Sequence, residues 1–166
     1  MFSKIIQGLT KVADVFSVLM MILLAVTLFI GVLTRYVFSF SIPELEVVRN
    51  FCLIWMVFIG SALAVKEKLH LDIDIFSDYL SERLNSWRIR IVYLLTFFGI
   101  GILIFIGVAA FESGLNRMEL VPIRFLSEQP SLVYYYSSFL VGSVLMLLFH
   151  LLNIRDLLGR NEVGKK

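Results

Sequence analysis

Four stretches of the chain contain no Asp, Glu, Lys or Arg: residues 15–34, 50–65, 91–111 and 129–154. A helix rises about 1.5 Å per residue, so about 20 apolar residues cross roughly 30 Å of hydrocarbon. The first, third and fourth stretches meet that length. The second is shorter, but Arg49 and Lys66 flank it, and their long stems can lay the charge among the headgroups. The pattern predicts an all-α integral membrane protein, a single domain over 1–166, with spans at about 12–35, 47–66, 90–112 and 130–155.

The segments between the spans have their own patterns. Residues 1–14 read as a helical lead-in at a membrane surface. Tyr36, Phe38 and Phe40 form an aromatic belt after the first span, and Tyr134, Tyr135 and Tyr136 form another at the start of the fourth. Ser41-Ile-Pro-Glu44 has the form of a capping box, with a Ser N-cap, Pro in the first turn and Glu at the third position. It predicts a short amphipathic helix that lies partly in the interface and turns into the second span. Residues 69–75 alternate apolar and polar, as an extended connection would. Phe76, Leu80, Leu84, Trp87 and Ile91 recur at three- and four-residue spacing, which predicts an interfacial helix before the third span. Pro122 and Pro130 mark turns, and the tail after Ile154 reads as basic and frayed.

Charge adds the orientation. Eleven of the 15 basic residues lie before the first span, between the second and third, or after the fourth, and four lie in the other two connections. The positive-inside rule then places both termini in the cytoplasm. The first apolar run is too long for a signal-peptide core and is followed by LTRYVF, so an uncleaved span is expected. At 59 % apolar and 17 % charged residues, with a net charge of +2, nothing points to nucleic acid.

Candidate chemistry is sparse. Cys52 is the single cysteine, which leaves no disulfide framework. His150 is the one histidine inside a span and reads as a hydrogen-bonded packing residue rather than a ligand. No cofactor motif, P-loop or nucleophile elbow occurs. Ionisable groups at mid-membrane cost about 2.5–3.5 kcal/mol each and usually mark transport pathways. Here every such group falls outside the four charge-free stretches and none lies at mid-span, so neither an autonomous carrier nor a membrane enzyme is expected. Small residues suggest helix packing instead: Gly60 with Ala64, Ser138 with Gly142, and Gly99, Gly101 and Gly107. Trp55 sits mid-span, where packing against another helix is expected. By exclusion, the chain reads as an accessory or structural membrane subunit.

Within residues 35–74 the order of features is denser than composition requires. Arg35, Tyr36 and Phe38 close the first span. Glu44, Glu46 and Arg49 form an acidic lead-in ending in arginine, and Trp55, Gly60, Ala62 and Ala64 follow in the second span. His70 and Asp72 end the stretch. In this order the chain resembles the small permease (DctQ-like, Q) subunit of tripartite ATP-independent periplasmic, or TRAP, transporters. Two features depart from that family. Leu45 stands where a second glutamate is often found before the arginine, and Leu140-Val-Gly142 replaces a frequent Pro-x-Gly, implying a straighter fourth helix.

The resemblance implies a bacterial inner-membrane subunit that is no enzyme and holds no cofactor. Its partners would be membrane lipid, a large (M-type) permease that holds the sodium ions and the substrate, and a periplasmic binding protein (P-type). That protein would deliver an organic acid of the sialic acid or C4-dicarboxylate kind. The small subunit would brace the large one. On that reading Glu44, Glu46 and Arg49 contact the large subunit or the docked binding protein, and Arg35 with Tyr36 anchors the first helix. His70 and Asp72 fix the cytoplasmic connection, and Trp55, Gly60 and Ala64 complete the candidate interface. Interfacial anchoring or local capping accounts for the same residues without a partner, and a self-assembling four-helix structural protein is the other reading of the whole chain.

Overall fold

The computed structural model describes residues 2–67, 82–121, 123 and 129–163 of the chain. Among them stand four helices: α1 (Phe2–Tyr36), α2 (Glu44–Lys66), α3 (Glu82–Leu115) and α4 (Val133–Val163). Each contains a segment long and apolar enough to cross a membrane. The expected four-helix, all-α membrane architecture is therefore present. The helices run further than the charge-free stretches. Charged residues such as Lys4, Lys11, Arg88 and Arg90 do not end a helix; they carry it out of the hydrocarbon into the headgroups. The 35 residues of α1 correspond to about 52 Å, more than the whole bilayer thickness of about 40–45 Å.

Two expected elements are not separate helices. Residues 82–91 are the first turns of one continuous α3, and 76–81 lie outside the described residues. The capping box at Ser41 does not form either. α2 starts at Glu44, with Pro43 at its N-cap in helical dihedrals and no side-chain cap. The reason lies upstream. Ser39 adopts a left-handed φ of 55°, and Phe40 N–H returns to the Thr34 carbonyl at 3.0 Å, so this segment closes α1. Leu45 and Glu46 N–H then bond the Ile42 and Pro43 carbonyls at 3.2 and 3.0 Å, satisfying donors that a serine would have capped. At the other end, α4 continues to Val163 without a break, past the expected fraying point at Ile154.

The helices do not close into a bundle. Substantial packing joins α1 to α2, α2 to α4, and α4 to α3. The spatial order is thus α1–α2–α4–α3, a single layer with α2 and α4 at its centre. Large apolar side chains stay exposed on every helix, among them Phe29 of α1, Val57 of α2, Phe98 and Phe105 of α3, and Val144 of α4. Both faces of the layer remain open. Because the helices alternate in direction, the start of α1 and the end of α4 lie at one edge of the layer, here the lower; the 37–43 segment and residues 116–121 and 129–132 lie at the upper edge.

At the centre, α2 and α4 run parallel. Trp55 meets Tyr134, Phe58 meets Gly142, and Val65 meets Asn153, so the two helices descend in step. The closest approach is at Gly142. A Cβ there would sit 2.6 Å from Phe58 Cβ and 2.9 Å from the Phe58 carbonyl oxygen. The Phe58 ring packs edge-on to Phe139 with centroids 4.5 Å apart. Below this point Ala62, Val65, Ile100, Met146 and Phe149 form the buried core, flanked by Ile6 of α1. Asn153 closes the lower end of the pair: its Nδ2 donates to the Val65 carbonyl at 2.9 Å, in the last turn of α2 where carbonyls lack helical partners.

The α3–α4 pair is antiparallel and depends on two glycines seven residues apart on one face of α3. At Gly107 a Cβ would lie 2.8 Å from the Phe139 ring. At Gly114 it would lie 2.6 Å from the Tyr136 ring and 3.1 Å from the Val133 backbone. Ser131 ties the upper end by donating to the Gly114 carbonyl at 2.6 Å and accepting from Val133 N–H at 3.2 Å. Gly60, expected at a tight approach, meets Ser17 Oγ at 3.9 Å and nothing nearer, and Gly99 and Gly101 face open space. His150 is buried and stacked on Tyr93, with centroids 4.0 Å apart. Its packing role is as expected, but its Nε2 has no hydrogen-bond partner among the described residues.

Two substitutions test this packing. Gly142→Val drives methyl groups into the Phe58 backbone and should cost about 1–3 kcal/mol, lowering the melting temperature in detergent, while Gly99→Ala should not. Equal effects would contradict the close approach. Asn153→Leu strands a buried carbonyl and should cost about 1–3 kcal/mol. It should also speed amide hydrogen exchange near Val65 while leaving α1 unchanged.

Candidate functional site

The candidate residues gather at the upper half of α2 and around it. Arg35 and Tyr36 end α1, both exposed, with Tyr36 at 80 %. Glu46 and Arg49 form an ion pair one turn apart, 3.5 Å between Arg49 Nη2 and Glu46 Oε1, with side chains 59 % and 40 % exposed. Such a half-exposed pair contributes little to stability, about 0–1 kcal/mol. Both charges therefore remain presentable to another chain. Glu44, half-buried in the first turn, is also engaged.

Trp55 packs inside the chain. Its ring stands edge-on to Phe16 of α1 at 5.4 Å and tilted to Phe51 at 5.9 Å. Its Nε1 donates to the Tyr134 carbonyl of α4 at 3.1 Å. One side chain therefore touches three helices. Tyr135 answers from α4: its hydroxyl donates to the Val47 carbonyl at 3.3 Å and lies beside the Glu119 carboxylate. Of the three tyrosines expected as a belt, Tyr134 is exposed and Tyr135 is buried, locking α4 to α2. Gly60 and Ala64 are half-buried on lower α2. His70 and Asp72 lie outside the described residues.

The polar groups within the spans are largely spent on the helices themselves. Thr10, Thr27, Thr34, Ser138 and Ser143 are buried and donate to carbonyls three or four residues back in their own helices. Such hydroxyls line no path. Among the described residues no group of three His, Cys, Asp or Glu side chains is placed to hold a metal. What the surface offers is shape: two open apolar faces, an exposed aromatic edge at Tyr36, Phe38 and Phe40, and the charged first turns of α2. That equips the chain for contact with another membrane protein.

Sequence reasoning passed over Asn153, Ser131 and Glu119. Asn153 was detectable as an amide near the end of a charge-free run, and Gln129-Pro-Ser131 as a helix start. Glu119 gave no signal, because its surroundings depend on how the upper connection folds back. There Met118 and Ser131 form an antiparallel bridge, and the Glu119 carboxylate accepts from Leu120 and Val121 N–H.

Known proteins place this architecture. The sequence matches the family described as Tripartite ATP-independent periplasmic transporters, DctQ component, over residues 24–160, more than four fifths of the chain. It is also 30 % identical over 82 residues to a Haemophilus influenzae protein provisionally named a TRAP transporter small permease protein. That alignment covers 49 % of this chain and 50 % of the relative, so the chain spans about half the length of the curated relative it matches. Four helices long and apolar enough to cross a membrane and a family match over residues 24–160 lead to one statement: the chain belongs to the DctQ family of TRAP transporter components.

Proposed function

We propose that this chain is the small permease subunit of a sodium-coupled TRAP transporter in a bacterial inner membrane. In this role it braces a large permease and helps to dock a periplasmic binding protein during uptake of an organic acid, of the sialic acid or C4-dicarboxylate kind. Substrate and sodium reside in the large subunit. The upper edge of the layer faces the periplasm, following the distribution of basic residues.

The observation that carries this reading is the open layer itself. A solitary membrane protein gains from closing its helices on one another, since packing and interhelical hydrogen bonds drive association in lipid. Here α1 and α3 each have one substantial helix neighbour, and the charge-free interiors offer no substrate path. An extended slab, stiffened by the parallel α2–α4 pair, suits a part that must resist bending while a partner moves against it.

The pair Glu46–Arg49 supplies the test. Because the ion pair is half-exposed and weak, Glu46→Ala and Arg49→Ala should leave the melting temperature of the isolated chain nearly unchanged. In native membranes the same variants should lower the amount of large permease that co-purifies with the tagged chain and the rate of sodium-driven uptake. If the wild-type chain purifies without any large permease, as a monomer or homo-oligomer, the reading fails.

A further inference from the structure

Below the upper connection, a groove of about 310 Å³ lies between α2 and α4. That is the low end of the volumes that hold small ligands, about 300–1,000 Å³. Asn50, Leu53 and Ile54 of α2 form one wall; Leu132, Tyr135 and Tyr136 of α4 form the other, with Glu119 at the rim. The groove therefore has a polar mouth and an apolar floor that descends one turn along α2 into the span. Glu119 is the charged group of its lining.

The rim has a directional charge pattern. Residues 117–119 run extended, with Arg117 accepting Leu132 N–H through its carbonyl, Met118 bridged to Ser131, and Glu119 N–H bonded to the Pro130 carbonyl at 2.9 Å. In an extended segment residues two apart share a side, so Arg117 and Glu119 project together, and Met118, 64 % exposed, projects away. Arg117 forms no ion pair among the described residues. Glu119 thus stands at the rim of an apolar slot, with Arg117 two residues before it on the same side of the bridged segment.

We propose that this groove binds one phospholipid with a zwitterionic headgroup ending in a primary ammonium. The ammonium donates to Glu119 and to the Asn50 side-chain oxygen, the phosphate meets Arg117, and the start of one acyl chain lies against Leu53, Ile54 and Leu132. A primary ammonium has three N–H donors for such charge-assisted bonds, whereas a trimethylated one has none. An anionic lipid without an amine would bring its charge against Glu119 unpaired. The occupant lies against the upper ends of α2 and α4. The inference depends on membrane insertion and not on the transporter assignment.

Native mass spectrometry of the full chain tests it, after delipidation and titration with phosphatidylethanolamine, phosphatidylcholine or phosphatidylglycerol of matched chains. Phosphatidylethanolamine should bind about fivefold or more tightly than the other two. Glu119→Gln should remove that preference, and Leu53→Trp, which fills the slot but spares the rim, should weaken the bound lipid. Helical circular dichroism confirms that each variant remains folded. Equal binding of the three lipids, or a preference that survives both substitutions, overturns the proposal. Because no permease is present in this experiment, its failure leaves the subunit assignment untouched.

Discussion

The structure depends on the contact between Phe58 of α2 and the bare backbone at Gly142 of α4. In lipid, one helix gains nothing from hiding apolar surface against another, because the acyl chains are equally apolar. What holds two spans together is how closely their atoms interlock and whether stray polar groups find partners. At Gly142 a missing side chain lets the backbones meet. Trp55 and Tyr135 above, and Asn153 below, then each direct a hydrogen bond across the same seam to a backbone carbonyl. Because α2 and α4 are parallel, this seam runs their common length, and α1 and α3 pack on its two sides. The order α1–α2–α4–α3 follows from it.

That order sets what the chain presents to its surroundings. A layer with its outer helices bound along one side offers large apolar faces and keeps ionisable groups at its edges. The hydroxyls of Thr10, Thr27, Thr34, Ser138 and Ser143 bond to their own helices. Membership of the DctQ family agrees with a component that lies across the membrane.

How much of this was legible in the sequence differs by element. The four spans could be read from composition, because the bilayer sets the length and polarity of any crossing helix. The family order could be read from 35–74. Helix ends were less legible. Pro43 and Glu44 looked like a box started by Ser41, yet the turn at Ser39 had already committed the preceding residues to closing α1. Small residues were legible as a class but not as contacts. Gly60, Gly99 and Gly107 look alike in sequence, and only the last faces a neighbour that a Cβ would strike. Which glycine matters depends on helix order, and nothing local encodes that. The same holds for Asn153, whose partner lies 88 residues away at Val65, and Glu119 meets Tyr135 only where the connection bridges back to the start of α4.

The open layer is the claim on which the functional account stands, and the distance between its outer helices tests it most directly. Spin labels at Val26 of α1 and Ile102 of α3, both exposed, can be measured by double electron–electron resonance in nanodiscs, with Cys52 replaced by serine. Neighbouring helices pack about 8–10 Å apart, so two intervening helices should separate the labels by more than about 20 Å. A narrow distribution well above that value would support the layer. A distance of about 10–15 Å, as expected for touching helices, would mean that the four helices close into a bundle, and the bracing role built on the layer would fall with it.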